Sequence, residues 1–215
     1  MTVNPTRFND TSFSQNDYNK YLLLGWYDTG NMNYARWYHT ASVLTNGKVL
    51  VTGGLDNSGN TLNSSELYDP STGMWNVTSN MNYARDGHTA SVLRNGKVLV
   101  AGGNDVSGGY TAELYDPSTE VWNVTSNMNY PRTGHTASVL TNGKVLVTGG
   151  LDNSGYISNS SELYDPSTGM WNVTSNMNYA RGEHTASVLT NGKVLVTGGV
   201  HNSSNTLNSA ELYQP

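Results

Sequence analysis

The chain has 215 residues, a formal net charge of −5 at pH 7 and no cysteine. The lack of cysteine excludes disulfide bonds, thiolate metal sites and cysteine nucleophiles, and the scattered charges leave no basic stripe for a phosphate backbone. No apolar run approaches the ~20 residues of a membrane span, and no signal-peptide pattern opens the chain. We therefore expect neither a nucleic-acid nor a membrane partner, and the sequence identifies no compartment.

The first part of the chain precedes any repeated motif. Residues 1–20 are polar, and we predict that they form a flexible leader. Residues 21–30 read YLLLGWYDTG, in which Trp26 stands in a short apolar run just before the first MNYAR motif. A tryptophan in such a run is typical of the end of a structural unit, so the rest of that unit must lie elsewhere in the chain.

A repeat accounts for nearly everything that follows. The segment that begins at Met32 returns at Met81, Met128 and Met177, which gives four units of about fifty residues. In each unit HTASVL and KVLVTGG flank an Asn-Gly pair, the strongest short signal for a β-hairpin. ELY and MWNV read as two further strands joined by a DPSTG or DPSTE turn. The pattern therefore predicts an all-β chain with four antiparallel strands per unit.

Two sets of residues recur in the units and are predicted to be structural. Glycine pairs end the second strand of each unit, where the backbone must turn sharply or approach a neighbour. The glycines are Gly53, Gly54, Gly102, Gly103, Gly149, Gly150, Gly198 and Gly199. The tryptophans of the fourth strand are Trp75, Trp122 and Trp171, and Trp26 aligns with them.

The order of motifs, Arg-x-x-His, Gly-Gly, ELYDP, Trp and MNYAR, resembles the kelch repeat over residues 21–215. The resemblance implies a β-propeller with four kelch-type four-stranded blades. Kelch propellers usually have six or seven blades, so three arrangements remain open: a closed ring of four, two chains that share a larger ring, or part of a longer product. The resemblance also implies a binding or scaffolding module with no catalytic role and no cofactor.

The last unit stops at AELYQP and has no fourth strand, whereas residues 21–30 look like a fourth strand without the other three. We predict that the N-terminal strand completes the last blade and covers its open edge. This pairing of the two chain ends favours a monomer, although a dimer that shares one ring would satisfy the same complementarity.

The loops divide into an invariant and a variable set. In an up-and-down meander the 2–3 loops and the links between blades lie on one face, and these segments differ most between units. Large aromatic side chains backed by small polar residues are typical of contact surfaces, so we predict a protein partner there, with a glycan as the alternative. The candidate binding residues are Trp37, Tyr38, Tyr110, Tyr156, Glu183 and His201.

Four histidines precede the innermost strands and would surround one mouth of a channel: His39, His88, His135 and His184. They offer an alternative, an enzyme-like propeller with a metal at this ring, but a packing role is the stronger explanation of a repeated histidine. The copper radical of galactose-oxidase-like propellers is excluded because it needs a cysteine. Four arginines (Arg36, Arg85, Arg132 and Arg181) are expected to stack on tyrosine and to bind carbonyls or carboxylates between blades, with Glu66, Glu113, Glu162 and Glu211 as partners.

Overall fold

The computed structural model describes residues 25, 26, 28–202 and 205–215, and the described part is all-β. Its strands form four antiparallel sheets and one small hairpin. We call the four sheets blades 1 to 4 in chain order. No helix long and apolar enough to cross a membrane occurs among these residues.

Blades 1 to 3 are four-stranded meanders, as the repeat predicts. Blade 1 consists of β1 (Thr40–Val43), β2 (Val49–Thr52), β3 (Ser65–Asp69) and β4 (Met74–Thr78). Blade 2 consists of β5 (Thr89–Val92), β6 (Val98–Ala101), β7 (Ala112–Asp116) and β8 (Val121–Val124). Blade 3 consists of β9 (Thr136–Val139), β10 (Val145–Thr148), β11 (Ser161–Asp165) and β12 (Met170–Thr174).

Blade 4 has three strands, and a small hairpin lies between the second and the third. The three strands are β13 (Thr185–Val188), β14 (Val194–Thr197) and β17 (Ala210–Tyr213). The hairpin pairs β15 (Val200–Asn202) with β16 (Asn205–Thr206). In the described part of the chain, therefore, no strand lies outside β17.

The predicted completion of blade 4 by residues 21–30 falls partly on residues 21–24 and 27, which lie outside the described residues. Of the rest, Trp26 is fully exposed, whereas Trp122 and Trp171 are buried against their blades. Gly30 lies beside Gly73 and Trp75 of blade 1, so the segment leads into that blade. Completion of the last blade, and closure of four blades into one ring, stay predictions.

The core lies between the blades. Leucines of one blade pack against valines and a tyrosine of the next, as Leu50 and Leu67 pack with Val98 and Tyr115. The same layer recurs between blades 2 and 3 and between blades 3 and 4. The innermost strands follow one another, because β1 contacts β5, β5 contacts β9 and β9 contacts β13. No comparable contact joins β13 to β1 among the described residues.

The first Gly-Gly pair illustrates how neighbouring blades approach. Gly53 and Gly54 both have positive φ, at 67° and 93°. A Cβ atom on Gly53 would lie 2.5 Å from the carbonyl oxygen of Arg85 in the next unit. The Gly54 N–H donates to that same oxygen at 2.9 Å. Glycine is required here because a side chain would separate the two blades.

Candidate functional site

A cavity of about 460 Å³ opens at one end of the innermost strands, where residues from all four units meet. Its lining comes from the Arg-x-x-His segments and from the residues that follow the Gly-Gly pairs. The residues that line it are Tyr38, His39, Asp86, Gly87, His88, Asn104, Thr133, Gly134, His135, Leu151, Glu183 and His184. The cavity therefore lies on the face that carries the variable loops.

The residue before each histidine has a left-handed backbone. Its φ is 53° at Tyr38, 61° at Gly87, 59° at Gly134 and 51° at Glu183. Glycine adopts this conformation without strain, but a residue with a Cβ atom does so at a cost of roughly 1–2 kcal/mol. Tyr38 and Glu183 are therefore held in an unfavourable conformation at the mouth, which is common at functional sites.

These four residues are joined in a row by backbone hydrogen bonds that cross from blade to blade. Gly87 N donates to Tyr38 O at 3.3 Å, Gly134 N to Gly87 O at 3.3 Å, and Glu183 N to Gly134 O at 2.9 Å. The spacing between blades at the mouth is fixed by these bonds, and the two residues at this position that carry side chains, Tyr38 and Glu183, both line the cavity.

The histidines beneath the mouth connect blades. The Nε2 atoms of His88, His135 and His184 lie 2.8–2.9 Å from the hydroxyl groups of Thr40, Thr89 and Thr136, each in the preceding blade. Burial, and then the nearby arginine charge, lowers the pKa of His88 and His135 to about 3 and that of His184 to about 4. The three rings are therefore neutral at pH 7 and act as packing and hydrogen-bonding groups.

The described histidines are not grouped as metal ligands in this arrangement. Within residues 25, 26, 28–202 and 205–215, no group of three or more His, Asp or Glu side chains is placed to hold a metal ion. Each of the three threonine-bonded rings already uses Nε2, the atom that most often binds metal. The alternative with a metal at the ring therefore has no support in this geometry.

The four arginines lie behind the histidines and pair with the glutamates that the sequence suggested, but the expectation that they join blades is wrong, because each guanidinium binds groups of its own unit. In blade 2 the guanidinium of Arg85 donates to Glu113 at 3.0 Å and to the carbonyl of Gly102 at 2.8 Å. The same arrangement joins Arg36 to Glu66, Arg132 to Glu162 and Arg181 to Glu211. Since each positive charge is paired with a carboxylate, the arginines add no net charge behind the cavity.

Of the six candidate binding residues, the structure brings two into the cavity and leaves four outside its lining. Tyr38 and Glu183 line the mouth, and Trp37 stacks on Tyr38 with ring centroids 4.5 Å apart. Tyr110 and Tyr156 are exposed on neighbouring loops. His201 is bound to the carbonyl of Ala180 at 3.0 Å.

Sequence reasoning did not select Asp86, Asn104, Thr133 and Leu151, which also line the cavity. Asp86 and Thr133 stand within the Arg-x-x-His segments, at positions that vary from unit to unit. The variation at these positions indicated a possible binding role. Asp86 and Thr133 were not selected because the choice of candidates favoured aromatic side chains. Asp86 is buried and accepts a hydrogen bond from Asn104 at 3.1 Å.

Comparison with known proteins gives one family. A family model described as the KLHDC2/KLHL20/DRC7 Kelch-repeats domain matches residues 38–215, most of the chain. No curated protein gives a significant match. Domains of the matched kind are generally protein-protein interaction modules and are typically not catalytic.

Proposed function

Because the chain belongs to the kelch-repeat family, we propose that it is a non-catalytic module that binds a protein partner at the cavity mouth and the surrounding variable loops. The observation that carries this proposal is the difference between the units at the mouth. Trp37-Tyr38, Asp86-Gly87, Thr133-Gly134 and Gly182-Glu183 occupy equivalent positions and differ in every unit, while the flanking arginine and histidine do not change.

The charge of the mouth indicates the kind of group that it accepts. Asp86 and Glu183 contribute two carboxylates to the lining. The histidines beside them are neutral at pH 7 because their pKa values are lowered. The cavity is therefore acidic, and it favours a basic side chain of the partner, lysine or arginine.

Aromatic side chains at the rim complete this recognition surface. Trp37 and Tyr38 are exposed although they pack against one another, so the outer face of each ring is available to a partner. A cation held near carboxylates and an aromatic ring gains both charge attraction and cation–π contact. Tyr110 and Tyr156 extend the aromatic surface along the neighbouring loops.

A displayed library of random peptides tests the proposal, because selection from such a library does not depend on which protein is the partner. We expect selection on the wild-type protein to enrich peptides that contain lysine or arginine. The double variant Asp86→Asn, Glu183→Gln should weaken their binding at least about tenfold, which corresponds to about 1.4 kcal/mol. Titration by fluorescence anisotropy measures this change.

The control lies on the opposite face. Arg94 occupies the position of Thr45, Thr141 and Thr190 in the other units, so Arg94→Thr restores the sequence of the repeat. This variant should bind the peptides as the wild type does. Peptides that bind the mouth variant undiminished, or that lose affinity only with Arg94→Thr, would place binding away from the mouth and overturn the proposal.

A further inference from the structure

The same contacts join blade 1 to blade 2, blade 2 to blade 3, and blade 3 to blade 4. The groups that would make a fourth such set of contacts lie unmatched on the free faces of blade 4 and blade 1. Thr40, Thr89 and Thr136 each bond the histidine of the next blade. The equivalent Thr185 of blade 4 instead lies 2.8 Å from the hydroxyl of Thr197. At the other end, His39 of blade 1 has no threonine partner within the described residues.

Backbone groups show the same pattern. Gly54, Gly103 and Gly150 donate to the carbonyls of Arg85, Arg132 and Arg181 in the next unit, at 2.7–2.9 Å. Gly199 of blade 4 and the carbonyl of Arg36 in unit 1 are the corresponding donor and acceptor, and they make no such bond among the described residues. The free face of blade 4 therefore carries donors that match the acceptors on the free face of blade 1.

The apolar layer is also complementary at the two ends. Blade 4 presents Leu189, Leu195 and Leu212. Leu189 and Leu195 are partly buried, whereas their equivalents in blades 1 to 3 are almost fully buried. Leu212 is 56% exposed, whereas Leu67 at the same position is 5% exposed. Blade 1 presents Val43, which is 68% exposed, together with partly buried Val49 and Tyr68.

A cleft beside β17 corresponds to the site that a tryptophan side chain occupies in blades 2 and 3. It has a volume of about 270 Å³ and is lined in part by Ser175, Leu212 and Tyr213. In blades 2 and 3 a tryptophan packs on the equivalent tyrosine and donates to the equivalent serine carbonyl, as Trp122 does to Ser79 at 3.1 Å. Trp26 is the residue that aligns with these tryptophans, and it is fully exposed.

We propose that a second copy of this chain covers these surfaces: blade 1 of each copy packs on blade 4 of the other, and Trp26 of each enters the cleft beside the other's β17. Two copies joined head to tail in this way form one eight-bladed ring, within the range of blade numbers that propellers adopt. Each new interface repeats the contacts already made three times inside the chain.

The existing interfaces favour a second copy over closure within one chain. They set the angle between successive blades, and with that angle β13 and β1 make no comparable contact in the described part of the chain. Closure by one chain would require all three interfaces to change. A second copy needs no such change, and it covers Leu212, which is 56% exposed, together with the partly buried Leu189 and Leu195.

Engineered cysteines provide the decisive test, since the chain has none of its own. A Cβ atom on Gly192 would lie 4.0 Å from Cβ of Thr141 in the preceding blade, a separation suited to a disulfide. The equivalent pair across the new interface is Thr190 with Gly47. Gly47 and Gly192 have φ values of 83° and 81°, so both cysteine substitutions meet the same backbone strain.

We expect oxidised Gly47→Cys, Thr190→Cys protein to run as a covalent dimer on a non-reducing denaturing gel. The control variant Thr141→Cys, Gly192→Cys should cross-link within one chain and run as a monomer. Single variants Gly47→Cys and Thr190→Cys, mixed before oxidation, should form a dimer with one cross-link.

Three results would overturn the proposal. A cross-linked monomer of the Gly47→Cys, Thr190→Cys protein would indicate a closed single chain, and a ladder of larger products would indicate an open filament. The third is the absence of a cross-link in this protein while the control pair does cross-link. Light scattering on the wild type should give twice the chain mass of 23.3 kDa. Trp26→Ala should shift that mass toward one chain, because it empties the cleft and alters no contact inside a blade.

Discussion

The guanidinium of Arg132 and the carboxylate of Glu162 lie 2.9 Å apart with both side chains fully buried. The second oxygen of Glu162 accepts from the backbone N–H of Asn129 at 2.7 Å, and the first accepts from that of Tyr130 at 3.1 Å. Arg132 in turn donates to the carbonyls of Gly149 and Ser160. One ion pair thus fixes the segment that enters blade 3 to two of the blade's strands.

Glu162→Ala should lower the free energy of unfolding by about 3–5 kcal/mol, because it leaves a buried guanidinium without its partner charge. Urea denaturation followed by tryptophan fluorescence measures the change. Lys144→Ala serves as control, since it breaks an exposed pair with Asp165 at 3.1 Å and should cost less than about 1 kcal/mol. Equal effects of the two variants would show that the buried pair is not a main support of the blade.

Glycine at the left-handed positions should stabilise the fold. Tyr38→Gly and Glu183→Gly remove a Cβ atom from backbone with φ of 53° and 51°. Each should raise the free energy of unfolding by up to about 1 kcal/mol, since glycine's greater freedom in the unfolded chain offsets part of the relieved strain. Thermal and urea denaturation measure the gain.

A third non-glycine residue with positive φ allows the effect on stability to be distinguished from the effect on binding. Glu120 has φ of 56° at a turn where the other units have Gly73 and Gly169, and it lies on the opposite face. Glu120→Gly should stabilise the protein and leave peptide binding unchanged, whereas Glu183→Gly should stabilise it and weaken binding. If Glu183→Gly bound peptides normally, the strain at the mouth would have no connection with recognition.

The buried histidines predict that stability falls in mild acid. The pKa of His88 and His135 is about 3 in the folded protein, against the ordinary value of 6.5. Between these values the unfolded chain binds more protons, so stability is full above about pH 6.5 and decreases as the pH falls toward 3. The slope is roughly 1.4 kcal/mol per pH unit for each such histidine.

Urea midpoints between pH 7.5 and 5 measure this dependence. The pKa values of Asp116 and Asp165 are lowered to about 2 by hydrogen bonds from Ser118 and Ser167, so these carboxylates lose their contribution only below this window. His135→Gln should reduce the dependence of the free energy of unfolding on pH by the contribution of one histidine. An unchanged slope would mean that His135 does not contribute to the acid sensitivity.

The sequence predicted the blades well because each strand boundary has a local cause. Asn-Gly turns joined the first two strands of every unit, and the Asn46 side chain accepts from the N–H of Lys48 within such a turn. The arginine–glutamate pairs followed from the same repetition. The cavity was predicted only in part, because Asp86 and Thr133 are ordinary polar residues whose convergence depends on the angle between blades.

Ring closure could not be predicted for a related reason. The four units carry nearly the same sequence on both faces, so blade 4 matches blade 1 of its own chain and blade 1 of another chain equally well. Only the angle between blades distinguishes these cases, and that angle arises from side-chain packing in each interface. Trp26 aligned with the other tryptophans without indicating which copy of blade 4 it would meet.

A head-to-tail dimer makes stability depend on protein concentration. Because the second copy binds the folded chain and not the unfolded one, the melting temperature should rise as the concentration is raised from about 1 to 100 μM. Leu212→Asp should abolish this dependence, since it places a charge in the apolar layer between the copies. The residue is largely exposed in a single chain, so the variant should still fold. Val173→Asp, at a similarly exposed position on β12 away from the free faces, should keep the dependence of the wild type. A melting temperature that is independent of concentration in the wild type would contradict the dimer.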